Sequence, residues 1–140
     1  MSRGLDESEE RLRALFDELL GGGDGDAPPD PVLIVIDDAG EFGDSSVGST
    51  LEMLLKRGRD GTVRVIASME TGQARHYAAW VKELRKDGRG MLLDPNLDLD
   101  GDLLGVRLPR RSNAVFPPGR GYVVIDGKVV LAQVAQTPQD

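Results

Sequence analysis

Apolar positions along the chain change period from helical to strand-like and back, and those changes outline the fold. From Asp6 to Leu20, Leu12, Leu15, Phe16, Leu19 and Leu20 recur at helical spacing behind acids that suit a helix amino terminus, predicting an amphipathic helix. Gly21, Gly22 and Gly23 end it, and a polar stretch through Asp30 reads as a flexible link. Val32 to Ile36 is an unbroken apolar run between Pro31 and the pair Asp37 and Asp38. Such a run predicts a strand buried on both faces, as in a parallel sheet. Ser45 or Ser46 then caps a helix to about Arg57, with Val47, Leu51, Leu54 and Leu55 facing inward, and Thr62 to Ala67 forms a second strand. Strand, helix, strand is a βαβ unit with a right-handed crossover. It brings Ser68 to Thr71 beside Asp37.

Gly72 to Lys86 reads as a further helix burying Tyr77, Trp80, Val81 and Leu84, stopped by Gly88 and Gly90. Met91 to Leu93 is a short strand, and an aspartate-rich loop follows to Gly105. Prolines and glycines break the chain into turns from Val106 onward. It closes in a hairpin, Tyr122 to Ile125 and Lys128 to Val134, around Asp126-Gly127, a dipeptide suited to a type I′ turn.

Length and composition narrow the class. The chain has 140 residues, 39% hydrophobic and 29% charged, which is ordinary for one globular domain with a real core. No apolar stretch approaches the roughly 20 residues of a membrane span, and the charged amino terminus is not a signal peptide, so the expected location is cytoplasmic. Absence of cysteine excludes disulfides, thiol catalysis and thiolate metal sites, and the single His76 cannot build a histidine metal site. The net charge of −7 is uneven: residues 1 to 52 hold 14 acids and 3 bases, residues 53 to 140 hold 10 acids and 14 bases. Broad contact with nucleic acid needs a basic face, which only the second half offers, and weakly.

Acids at the carboxyl end of a buried parallel strand sit where open α/β sheets bind ligands. Asp37 and Asp38 therefore match a Walker B pattern, in which one acid helps hold Mg²⁺ and a neighbour orients the attacking water. The matching phosphate loop is missing from these residues. Such a loop places a Lys after its last Gly, followed by Ser or Thr, and none of Lys56, Lys82, Lys86 and Lys128 has that context. Asn96, Asp98, Asp100 and Gly101 match the first positions of a calcium loop, but its closing Glu is replaced by Arg107, so a solvated turn is the better reading. His76 reads as a surface or structural residue. Tyr77 and Trp80 read as core rather than as a peptide-binding face. Pro117 to Tyr122, PPGRGY, is either a rigid turn or a close backbone approach that offers Arg120 to a phosphate.

Several stretches together resemble the carboxyl-terminal part of an FtsK/SpoIIIE-type ATPase domain, the motor fold of DNA translocases and of the EccC ATPases of type VII secretion. They are VLIVIDD, LLKRGRDGTVRVIAS, DLDGDLLGVRLPR and the terminal PPGRGY with its hairpin, in the expected order over residues 31 to 135. The likeness is stronger to the EccC branch than to chromosome-segregation motors. It implies an α/β fold: a partial RecA-like P-loop ATPase core, a parallel sheet flanked by helices, ending in a β-hairpin. Residues 1 to 30 would form the amphipathic helix and its Gly/Asp/Pro-rich link, and 31 to 140 the ATPase part.

The resemblance further implies ATP with Mg²⁺, and partners that are other ATPase domains or subunits of a ring, with a secreted protein as substrate. DNA is disfavoured as a partner, and membrane attachment would come only through a longer parent protein. Carried across by position, Asp37 falls on the Mg²⁺-associated acid, through water, and Asp38 on the catalytic acid, usually Glu. Arg59 is the candidate arginine finger, with Arg57 its rival and a helix-capping role the plain alternative for both. Ser68 falls near the sensor position after the second strand, and Arg120 is a further nucleotide-binding candidate. Without a phosphate loop the chain alone is not expected to hydrolyse ATP. It is then either part of a longer motor or a degenerate, catalytically silent module that binds a partner protein.

Overall fold

The computed structural model describes residues 3–20, 30–58, 61–75, 78–110 and 116–135. The chain divides into two compact units, Met1–Leu84 and Arg85–Asp140.

The first unit is built on a βαβ core. Strand β1 (Val32–Ile36) pairs in parallel with β2 (Val63–Ala67), with Leu33 opposite Arg64 and Val35 opposite Ile66. Helix α2 (Ser46–Arg57) connects them, its amino end capped by the Ser45 hydroxyl, which accepts from the Gly48 amide at 3.4 Å. Val47, Leu51 and Leu54 of α2 are buried against Ile34, Ile36, Val65 and Ala67, as the helical spacing predicts. Helix α1 (Arg3–Leu20) packs on α2 and adds Leu12 and Phe16 to the same core.

One expectation is corrected here. β1 is not buried on both faces: Val32, Ile34 and Ile36 alternate with Leu33 and Val35, which are 56% and 69% exposed. A strand's side chains alternate between faces, and the α2 core covers one face of this pair.

A second correction concerns residues 72 to 86, expected as one helix. They hold two, α3 (Thr71–Ala74) and α4 (Ala79–Arg85). The start of α3 is fixed locally by a capping box, in which Glu70 accepts from the Gln73 backbone and Gln73 Oε1 accepts from the Glu70 amide at 3.1 Å. α3 buries no residue, whereas α4 is fixed by packing, with Trp80 and Val81 in the core. Trp80 also anchors the loop before α2. Its Nε1 donates to the Gly43 carbonyl at 2.9 Å, and its ring lies tilted against Phe42 with centroids 6.5 Å apart. Gly48 is needed at this contact, because a Cβ there would sit 2.7 Å from Trp80 Cδ1 and 2.9 Å from the Gly43 carbonyl oxygen. Tyr77 and His76 lie outside the described residues.

The second unit is an antiparallel sheet, β3 (Gly90–Leu93), β4 (Arg120–Ile125) and β5 (Lys128–Gln133), in that spatial order. Asp126 and Gly127 join β4 to β5 with φ of 50° and 74°, the two positive angles of a type I′ turn, as the dipeptide predicts. Arg89 clamps the turn with Nη2 at 2.6 Å from Asp126 Oδ1. Strands β3 and β4 approach closely where Gly121 faces Leu93: a Cβ on Gly121 would lie 2.0 Å from the Leu92 carbonyl oxygen. Leu92, Leu103, Leu108, Tyr122 and Val124 are buried in this unit, and Phe116 meets Tyr122 edge-on.

Candidate functional site

Parallel pairing places the carboxyl ends of β1 and β2 side by side, and the chain crosses between them immediately afterward. The Ser68 amide donates to the Ile36 carbonyl and the Ala39 amide to the Ser68 carbonyl, each at 2.9 Å, so the ladder continues past the strands. Between these two bonds lies Asp38 in the left-handed conformation, φ 50° and ψ 38°. Aspartate tolerates that region better than most residues. Its conformation turns the Asp38 amide back, 3.2 Å from both Ser68 Oγ and Asp37 Oδ1. The Ser68 hydroxyl donates to the same Oδ1 of Asp37. The Asp37 carboxylate is thus held by a hydroxyl and an amide at the exposed end of the sheet.

The Asp38 carboxylate is exposed and does not cap the 3₁₀ helix Ala39–Phe42 that follows. Sequence reasoning brought Asp37 and Ser68 together but missed the Asp38 amide. Its signal was present: an aspartate at the end of an apolar run, before Ala-Gly, at the point where a strand must turn sharply.

The other candidates are Arg57, Arg59 and Arg120. Arg57 is exposed in the last turn of α2, and the next residue, Gly58, packs against Val63 at the amino end of β2. That is the far end of the strand pair from Asp37, so Arg57 cannot serve the site of its own unit. Arg59 lies outside the described residues. Arg120 begins β4 of the second unit, where its Nε donates to Gln133 Oε1 at 3.1 Å. In the aspartate-rich loop, Asp100 accepts from the Asn96 amide at 2.8 Å, Asn96 accepts from the Asp98 amide at 3.0 Å, and Asp98 pairs with Arg110 at 2.9 Å. These groups brace a turn. Among the described residues no cluster of three His, Cys, Asp or Glu could hold a metal by itself.

A Mg²⁺ ion suits Asp37 in a narrower way. Mg²⁺ commonly keeps several waters and is held by one or two carboxylates together with substrate phosphates. One exposed carboxylate, oriented by a hydroxyl and an amide, fits that share of the coordination. The lysine in a glycine-rich loop that contacts a triphosphate in P-loop proteins is not found in this sequence.

No protein-family model matches the chain, and no curated protein matches it. Among solved structures it is similar to EccC of Thermomonospora curvata, determined as ATPases 2 and 3 in complex with a signal sequence peptide. The TM-score is 0.65 at 19% sequence identity, over 94% of this chain. The fold is EccC-like. The chain spans 26% of that EccC chain, about a quarter of its length.

The mixed α/β architecture expected from the sequence is thereby shown: a parallel pair with helices packed on one face, then an antiparallel sheet ending in a hairpin. No described helix is long and apolar enough to cross a membrane.

Proposed function

We propose that the chain is the carboxyl-terminal part of an EccC-like motor ATPase domain, contributing the metal side of an ATP site to a machine that exports proteins. The observation that carries this reading is the Asp37–Ser68 pair at the carboxyl ends of two parallel strands, in a fold shared with EccC ATPase domains. In this reading Asp37 orders a water of Mg²⁺, and Ser68 and the Asp38 amide hold its carboxylate in place. In the same reading the Asp38 carboxylate is the acid that orients the attacking water. Bound Mg²⁺ would supply charge neutralisation at the phosphates. The phosphate-binding loop comes from sequence outside these residues or from another chain, and Arg57 or Arg59 serves a neighbouring subunit's site rather than its own. The partners are other ATPase domains of the motor and an exported polypeptide, in keeping with the signal sequence peptide bound to the T. curvata protein.

The experiment is Mg²⁺-dependent hydrolysis by this chain joined to a glycine-rich phosphate loop that ends in Lys-Ser or Lys-Thr. Turnover that Asp37→Ala removes supports the reading. A joined chain that binds nucleotide equally well with Asp37→Ala contradicts it.

The alternative is a catalytically silent module that keeps the fold and binds a partner protein. Asp38 favours it, since its carboxylate is one methylene shorter than the Glu usual at that position. A silent module binds partner in an Asp37→Ala variant as well as in the parent. A DNA translocase fragment would instead show DNA-stimulated turnover with steep salt dependence.

A further inference from the structure

The turn that carries Asp38 is bracketed from both sides. A residue other than glycine in the left-handed region persists where the surrounding structure holds it there. On the strand side Ser68 does so, its hydroxyl oxygen accepting from the Asp38 amide and its carbonyl from the Ala39 amide. On the far side lies Gly40, against the side chain of Gln73 in α3. A Cβ built on Gly40 would fall within that carboxamide, with Cδ, Oε1 and Nε2 of Gln73 as its three nearest atoms and Nε2 at 2.6 Å. Gly40 is not among the residues with positive φ, so its backbone conformation does not itself call for glycine. The carboxamide does. It is fixed in turn, because its Oε1 accepts from the Glu70 amide at 3.1 Å in the capping box. α3 has four residues and buries none of them, so this cap sets where Gln73 lies.

We propose that Gln73 is a positioning residue for Asp38. Its carboxamide, held at Glu70 and laid against Gly40, keeps the Asp38 turn left-handed. The Asp38 carboxylate is exposed and does not cap the following helix, so its direction follows the backbone that carries it. Holding the turn therefore aims the carboxylate. What Gln73 does for a reaction rests on the reading of Asp38 as the water-orienting acid; what it does for the turn does not.

The test is hydrogen exchange at the Asp38 and Ala39 amides of the ¹⁵N-labelled chain. Gln73→Ala should speed exchange at both by about tenfold, since local opening sets these rates. Gly40→Ala should act in the same direction, because its methyl displaces the carboxamide. The double variant should exchange no faster than Gln73→Ala alone, as the methyl then enters vacated space; that non-additivity marks a direct contact. Gln73→Glu keeps both the cap and the shape and should exchange as the parent does. Trp80 emission and exchange at the core Leu51 amide should stay native in every variant, which separates a loosened turn from a lost fold. In the loop-joined chain Gln73→Ala should lower kcat by about tenfold and leave KM unchanged, because Asp38 acts on the water and not on nucleotide binding. Parent exchange rates in Gln73→Ala, effects that multiply in the double variant, or an unchanged kcat in an active joined chain overturn the proposal. A joined parent chain without turnover contradicts the proposed function instead, and the exchange rates then decide the role of Gln73.

Discussion

The Ser68 hydroxyl donates to Asp37 Oδ1 across the ends of two parallel strands, 31 positions apart in the chain. This bond ties the residue after β2 to the first acid after β1, and the Asp38 amide reinforces it from the turn between strand and 3₁₀ helix. Ser68→Ala therefore removes a hydroxyl whose loss frees the Asp37 carboxylate to rotate. Both residues are exposed, so the expected cost in stability is small, about 0.5–1 kcal/mol by denaturant titration. The cost to Mg²⁺–nucleotide affinity in the loop-joined chain should be several-fold, and Ser68→Thr should restore most of it. Equal nucleotide affinity in parent and Ser68→Ala would show that the bond only closes the strand ends.

Asp38 supplies an amide to the site and, in the proposed function, a carboxylate. Asp38→Glu keeps the charge and adds the missing methylene. In the loop-joined chain it is expected to raise turnover about tenfold or more, because errors of about 1 Å in positioning a catalytic group have large rate consequences. An unchanged or lower rate, with stability intact, would favour the silent module.

Gly48→Ala tests the packing that holds the first unit. The added methyl meets Trp80 and the Gly43 carbonyl, so α2 or α4 must shift. Overpacking of this kind costs about 1–3 kcal/mol. The change should appear both as a lower denaturation midpoint and as altered Trp80 emission, since the Nε1 bond to Gly43 is strained at the same time. Trp80 is the chain's single tryptophan, so the spectral signal is unambiguous.

Tyr122 offers the opposite sign. Its ring is only 2% exposed, and its buried hydroxyl has no hydrogen-bond partner among the described residues. A buried hydroxyl left without a partner costs about 1–3 kcal/mol. Tyr122→Phe is therefore expected to stabilise the chain by about 1 kcal/mol, read as an increase in the denaturation midpoint with no change in slope. Destabilisation of similar size would mean that the hydroxyl does have a partner in solution.

Much of this fold was legible in the residues. The spacing of Val47, Leu51 and Leu54, the Ser45 cap and the Asp126-Gly127 turn are local signals, and each acts through geometry that one element settles by itself. The neighbourhood of Asp37 and Ser68 was legible too, because a βαβ connection constrains where the next strand must end. Burial of β1 was not. An apolar run reports what a strand can bury, while Leu33 and Val35 are exposed because the α2 core covers only their neighbours. The break between α3 and α4 was missed for a related reason. A capping box at Glu70 sets one phase, the packing of Trp80 sets the other, and periodicity alone carries no sign of the change. The left-handed Asp38 follows from the sharp crossing between strand ends, which a linear reading does not contain.

The most direct measurement is isothermal titration with ATP and Mg²⁺ of the 140-residue chain and of its loop-joined form, each with and without Asp37→Ala. The account predicts no measurable binding by the chain alone, Mg²⁺-dependent binding by the joined form, and loss of that binding with Asp37→Ala. Tight binding by the chain alone, or binding by the joined form that ignores both Mg²⁺ and Asp37→Ala, would contradict it.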